Sequence, residues 1–402
     1  MESHSLLIQI AIIIIAARLF AEVATRFNIP SIFGELVAGI VLGPSVLGWI
    51  TPNQVIELLA EIGIILLLFE IGLQTDINRL IKVGPQSALV AVIGFIMPFL
   101  LGFLLSYIIF DFTMLVSLFV GGTLTATSIG VTIRILADLK RHQSHEGQVV
   151  LGAAVIDDLL GVFLLAVLYD FAVRGEVNIE SMTRLIVYIV LFFLLAPFLA
   201  RILAPYIKRL HETSHVPGVI PVLLVALVLI FAYVAHDIGA PQLIGGFVAG
   251  IALSRRFFLP FAAGLKFSVE FSDDVHAQMK PIIQLFTPIF FVMVGLSLDL
   301  RTVDWGSAFI WVFSLSVLTI AIIGKLVAPW LLNTSVYSRT AIGMAMVPRG
   351  EVGLIFAELG RVSGIFSNEV YAGLILVVAY TTLAAPLWIK SFYARYGHKI
   401  PQ

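Results

Sequence analysis

The chain reads as a succession of long apolar runs broken by short polar connections. Continuous hydrophobic segments lie near 5–25, 32–50, 54–73, 84–110, 114–137, 146–170, 183–207, 217–236, 242–258, 281–299, 307–332, 338–360 and 368–393. Each is close to the roughly 20 residues a helix needs to cross a bilayer core. None shows the alternation of apolar and polar positions that a membrane strand requires. The pattern predicts an all-α membrane protein of about thirteen transmembrane helices. Residues 260–280, "PFAAGLKFSVEFSDDVHAQMK", carry too many charges to span and are expected to form an amphipathic linker at the interface.

Composition agrees with this pattern. Hydrophobic residues make up 60% of the 402 positions and charged residues 12%, against about 25% charged in soluble domains. The net charge of −1 leaves no basic surface for nucleic acid, and the absence of cysteine excludes disulfides and thiolate metal sites. "MESHSLLIQIAIIIIAARLF" has no basic stretch before its apolar run and no small-residue cleavage site after it. It is expected to stay as the first span. With the N-terminus outside, the inner loops collect most basic residues, from Arg26 and Arg79 to Arg395 and Lys399. The outer loops hold Arg174, Arg184, Arg301 and Arg361. The positive-inside rule then places the C-terminus in the cytoplasm.

An internal repeat is visible. "FAEVATRFNIPSIFGELVAGIVL" (20–42) aligns without gaps on "FAYVAHDIGAPQLIGGFVAGIAL" (231–253), matching Pro30 with Pro241, Gly34 with Gly245 and Gly39 with Gly250. "GLQTD" (72–76) aligns on "GLSLD" (295–299), and "TLTATSIGVTIRIL" (123–136) on "MVPRGEVGLIFAEL" (346–359). The halves, about 1–172 and 217–394, are joined by a connector at 183–207. Equivalent spans are an odd number apart, so the repeat is inverted, an architecture of many secondary transporters with the site at mid-membrane.

Chemistry concentrates at a few buried polar positions. In "MVPRGEVG", Pro348 removes a backbone donor and Gly350 loosens the turn, predicting a broken helix. A break at this depth is tolerated where it lines a polar cavity or packs in protein. Glu351 would start the following half-helix, with Arg349 beside it. The mirrored "GGTLTATSIG" has no proline, yet Thr125, Thr127 and Ser128 could serve freed backbone groups or face an ion. "GAAVIDDLLGV" places Asp157 and Asp158 side by side in an apolar span, where ionised carboxylates are costly. Neighbours on a helix point about 100° apart, so the two acids can serve different partners in one cavity. The mirrored positions hold Thr381 and Thr382. Lys325, in "LTIAIIGKLVAPWLL", is too deep to snorkel and needs a carboxylate, either Asp157 or another acid such as Glu351. Glu22, Glu35, Glu61, Glu70 and Glu358 are assigned structural roles, and the histidines show no metal-ligand spacing.

"GELVAGIVLGPSVLG", "LLLFEIGLQTD", "TLTATSIGVTIRIL", "AVIDDLLGV", "FFVMVGLSLDL" and "MVPRGEVGLI" occur in this order along most of the chain. Together they resemble the cation:proton antiporter-2 family, which exchanges Na⁺ or K⁺ for H⁺. The resemblance implies a Na⁺/H⁺ antiporter-like fold with two crossing discontinuous helices, a homodimer in the inner membrane, and elevator-type movement of a core domain. It implies Asp158 as the carboxylate that binds the monovalent cation or a proton. Asp157 would be the first acid of the pair found in electrogenic members, Lys325 its partner, and Thr127 part of the unwound segment. No cofactor is implied beyond the transported Na⁺, Li⁺ or K⁺ and H⁺. No soluble regulatory domain is expected, which weighs against a ligand-gated K⁺-efflux protein without excluding K⁺ as substrate. An intramembrane aspartyl protease needs its acids on a shared water, and a cation channel needs a continuous pore. Neither suits adjacent acids on one helix.

Overall fold

The computed structural model describes residues 2–75, 77–174, 179–213, 219–254 and 269–400. The helices are α1 (Glu2–Arg26), α2 (Ser31–Leu42), α3 (Gln54–Gln74), α4 (Ile77–Leu104), α5 (Met114–Thr123), α6 (Ile129–Asp138), α7 (His145–Arg174) and α8 (Ile179–Thr213). They continue with α9 (Val219–Asp237), α10 (Gln242–Leu253), α11 (Val269–Leu296), α12 (Ala308–Trp330), α13 (Val336–Ala345), α14 (Glu351–Val362) and α15 (Asn368–Tyr396). No strand occurs among the described residues. Among the described residues, seven helices are long and apolar enough to cross a membrane.

The apolar segments at 114–137 and 338–360 are each divided in two, as α5 with α6 and α13 with α14. Three boundaries differ from expectation. α2 stops at Leu42 because Gly43 precedes Pro44, and the residue before a proline avoids helical backbone. α4 starts before the apolar run and ends in a π-helical turn, Leu105–Ile109. Residues 269–280, expected in an interfacial linker, are helical and form the start of α11. Among the described side chains of this stretch, Val275 and Met279, four residues apart, are buried on one helix face. The rest of that linker, with Arg255, Arg256 and Lys266, lies outside the described residues.

Two compact units emerge, one of residues 1–53, 83–177 and 291–402, the other of 54–82 and 178–290. In the first, α2 packs against the end of α11 with almost no side chain between the backbones. A methyl on Gly39 would lie 2.1 Å from the Val292 carbonyl oxygen, and one on Gly295 2.2 Å from that of Leu36. Ser45 Oγ closes this contact by donating to the Leu298 carbonyl. In the second unit, α10 packs against α3 in the same manner. A methyl on Gly250 would lie 2.2 Å from the Phe69 carbonyl oxygen, and one on Gly72 2.4 Å from that of Phe247. Ser254 Oγ donates to the Thr75 carbonyl at 3.0 Å.

The apolar core of the first unit gathers Phe119, Phe313, Phe356 and Leu374 from α5, α12, α14 and α15. Phe309 and Phe313 stack at 5.7 Å on one face of α12. This packing braces the half-helices on the side away from their polar ends.

Candidate functional site

Two non-helical stretches, 124–128 and 346–350, cross inside the first unit. The Ser128 N–H donates to the Pro348 carbonyl at 2.9 Å. Thr127 Oγ1 donates to the Met346 carbonyl at 2.8 Å and Thr132 Oγ1 to that of Ala345 at 2.7 Å. A Cβ on Gly350 would lie 2.5 Å from Ser128 Oγ, so the crossing requires glycine there. At the α5 end, the Leu124 N–H donates to the Gly121 carbonyl at 3.0 Å and the Thr125 N–H to that of Gly122 at 3.1 Å, with hydroxyls adding to them. Thr123 Oγ1 donates to Phe119 at 2.9 Å and Thr125 Oγ1 to Gly122 at 2.8 Å.

Asp157 and Asp158, on α7, are both fully buried. Oδ2 of Asp157 accepts the Thr127 N–H at 2.8 Å and the Lys325 ammonium at 2.8 Å. Its Oδ1 has no hydrogen-bond partner among the described residues. Lys325 reaches this point from α12 past Gly94 of α4, where a methyl would come within 4.0 Å of Nζ. Of the two partners open to Lys325 in the sequence, the geometry selects Asp157. Asp158 also acts on Lys325 electrostatically, so both acids belong to one charge cluster.

Arg349 is equally buried. Its guanidinium donates to the carbonyls of Ala126 at 3.2 Å and Ala321 at 3.3 Å, with that of Met346 at 3.5 Å. The cation therefore sits where the chain leaves α5 and α13, whose last carbonyls carry partial negative charge. Glu351, the first residue of α14, has a side chain outside the described residues.

The remaining candidates divide. Thr127 engages Asp157 through its backbone N–H, while its hydroxyl spans to Met346. Ser128 contributes its N–H to the crossing. Thr125 directs its hydroxyl proton to the end of α5. Sequence reasoning missed the role of Thr381 and Thr382, which appeared only as the residues replacing the acids. Thr381 Oγ1 accepts the Arg349 N–H at 3.3 Å, and Thr382 Oγ1 donates to the Arg349 carbonyl. These threonines hold the second broken stretch as Asp157 holds the first. The signal was their alignment with the acid pair.

The centre thus gathers two buried carboxylates, two buried cations and the ends of four half-helices. A carboxylate in such a centre can hold either a proton or a cation.

Comparison with known proteins gives the same direction. The family model for the sodium/hydrogen exchanger transmembrane region matches residues 10–395. The chain is 32% identical to the high-affinity Na⁺/H⁺ antiporter NhaS3 of Synechocystis, over 96% of this chain and 89% of that protein. It is 33% identical to the Na⁺/H⁺-K⁺ antiporter GerN of Bacillus cereus, over 95% of each. In fold it is similar to the sodium proton antiporter MjNhaP1 of Methanocaldococcus jannaschii, with a TM-score of 0.70 at 16% identity, covering 100% of this chain and 98% of that one. With the family match running from α1 to α15 across both broken stretches, the chain belongs to the sodium/hydrogen exchanger family.

Proposed function

We propose that this protein exchanges Na⁺ or Li⁺ for H⁺, with Asp158 as the carboxylate for which cation and proton compete. The observation that carries this reading is the buried acid pair beside the crossing, with Asp157 held by Lys325 and by the Thr127 N–H. A cation entering here needs negative charge to replace its hydration shell, and Asp158 supplies it. A proton neutralises the same group. Competition at one carboxylate then gives obligatory exchange. The family is one of secondary transporters, not enzymes.

Lys325 adds a second exchangeable proton. If the arriving cation draws Asp157 away, the ammonium can deprotonate, and two protons move against one cation. Transport is then electrogenic and responds to membrane potential by about 2.3 kcal/mol per charge per 100 mV.

The same reading places thirteen crossings in an inner membrane, N-terminus outside and C-terminus cytoplasmic. It describes 1–172 and 217–394 as inverted repeats joined by the helix at 183–207. The matching glycine contacts of Gly39 with Gly295 and of Gly72 with Gly250 support the repeat. Elevator-type movement and a homodimer complete the proposal.

A second reading, K⁺ in place of Na⁺, is favoured by the likeness to GerN, whose name includes K⁺. Proteoliposomes with an imposed pH gradient decide between them. Internal pH should respond to added Na⁺ and Li⁺, and the response should change when a potential is clamped across the membrane. A response to K⁺ alone would transfer the assignment to K⁺. No response to any of the three would remove it.

A further inference from the structure

Glu35 lies on the buried face of α2, where its neighbours Ile32, Leu36 and Ala38 are apolar. The side chain is fully buried, and neither carboxyl oxygen accepts a hydrogen bond from any described residue. Buried polar groups ordinarily find partners, and an ionised one without a partner is especially costly. The charges that act on it are Arg134 and Asp138 of α6 and Arg18 of α1. Arg134 pairs with Asp138 at 3.2 Å, and Ser31, one turn before Glu35, donates to Asp138 at 3.2 Å. Arg134 in turn donates to Ser31 Oγ at 3.4 Å. On α15, Lys390 is held by Asn28 at 2.8 Å. The residues of α11 that meet α2, Val292 and Gly295, bring no charge.

A protonated carboxyl fits these surroundings. It is neutral and carries its own donor. On losing H⁺ to water it becomes an anion beside Arg134, which can turn from Asp138 toward it. The local network therefore has an arrangement for each protonation state. α6 connects this network to the crossing, because its first turn follows directly on Ser128, whose N–H binds Pro348. The position aligned with Glu35 in the second half is Gly246, just as Thr381 and Thr382 align with the acids. Acidic groups distinguish the first half at both places.

We propose that Glu35 is a second proton-binding carboxyl, loading and releasing protons between the crossing and the membrane face at which α6 ends. The transport role rests on the antiporter reading, whereas the protonation of Glu35 does not.

Infrared difference spectroscopy of the purified full-length protein in H₂O and D₂O, across a pH titration, tests the protonation directly. The unmodified protein should show a protonated-carboxyl stretch that shifts in D₂O. With Asp158→Asn as background, which removes the other exchanging carboxyl, that band should persist, vanish on adding Glu35→Gln, and reappear displaced with Glu35→Asp. Absence of the band from Asp158→Asn, or its full retention in the Asp158→Asn, Glu35→Gln double variant, would overturn the proposal. In proteoliposomes, Glu35→Gln should lower maximal Na⁺-driven proton flux roughly tenfold or more with little change in half-saturating Na⁺, the pattern of a lost proton carrier. Glu35→Asp should recover most of the flux. Equal maximal flux in Glu35→Gln and the unmodified protein would also overturn it. Failure of the unmodified protein to transport any cation would refute the antiporter reading, with the infrared result still deciding whether Glu35 holds a proton.

Discussion

Replacing Lys325 by Gln removes one member of a fully buried ion pair with a 2.8 Å contact. At that separation and an effective dielectric of about 20, the Coulomb attraction is roughly 6 kcal/mol. Desolvation of both ions offsets much of it, so the pair as a whole contributes little against an uncharged pair of similar shape. Removing one partner is different. Asp157 then keeps the Thr127 N–H but has lost the ammonium in contact with it, and the expected loss is about 3–5 kcal/mol. For a chain of 402 residues this corresponds to a fall of about 4–6 °C in Tm. Asp157→Asn should cost a similar amount by removing the carboxylate in contact with the ammonium. The double variant Asp157→Asn, Lys325→Gln should recover most of the loss, because neither charge remains to be compensated. Thermal unfolding of the four proteins in one detergent at one pH completes the cycle. An unchanged melting point in Lys325→Gln, or a double variant that loses the sum of the two single losses, would refute the reasoning.

Three further outcomes follow from the geometry. Gly350→Ala should push the two broken stretches apart at a cost of about 1–3 kcal/mol, since its methyl would lie 2.6 Å from Ser128 Cβ; adding Ser128→Gly should restore thermal stability and flux, and no loss in Gly350→Ala would argue against the crossing. His142, in the connection between α6 and α7, has both ring nitrogens buried without hydrogen-bond partners, and burial lowers its pKa below the ordinary value. Its contribution to stability is therefore complete above pH ~6.5 and lost as pH falls from there through the folded-state value; His142→Gln should flatten that slope in a pH series of melting curves, and an unaltered slope would contradict it. Competition at Asp158 requires the half-saturating Na⁺ concentration to fall as pH rises, which steady-state flux measurements at several pH values would show, and a constant value would exclude competition.

Much of this arrangement was legible in the sequence because hydrophobic length and buried charge are local signals. The all-helical class followed from the long apolar segments, and Lys325 could be matched to an acid because its depth leaves few alternatives. The second broken helix announced itself through Pro348. The first did not. Its break is maintained by groups distant along the chain, with Asp157 on the Thr127 N–H and Arg349 on the Ala126 carbonyl. No property of "GGTLTATSIG" alone encodes those partners. The contacts of Arg349 with the Ala126 and Ala321 carbonyls were similarly not legible, because backbone carbonyls are supplied by any sequence. Glu35 was assigned a structural role from its place near a span end. Its burial comes from packing among α1, α2 and α6, which the hydropathy of one segment does not report. The start of α11 was not separated from the linker because its charged residues mask the helix, although Val275 and Met279 are buried.

The central claim is that cation and proton exchange at Asp158. Proton release from purified, weakly buffered protein on addition of Na⁺ measures this without a membrane or a gradient. The unmodified protein should release protons in proportion to bound Na⁺, one from Asp158 and a second from Lys325, and Asp158→Asn should release none while keeping its fold. Undiminished release from Asp158→Asn would contradict the account.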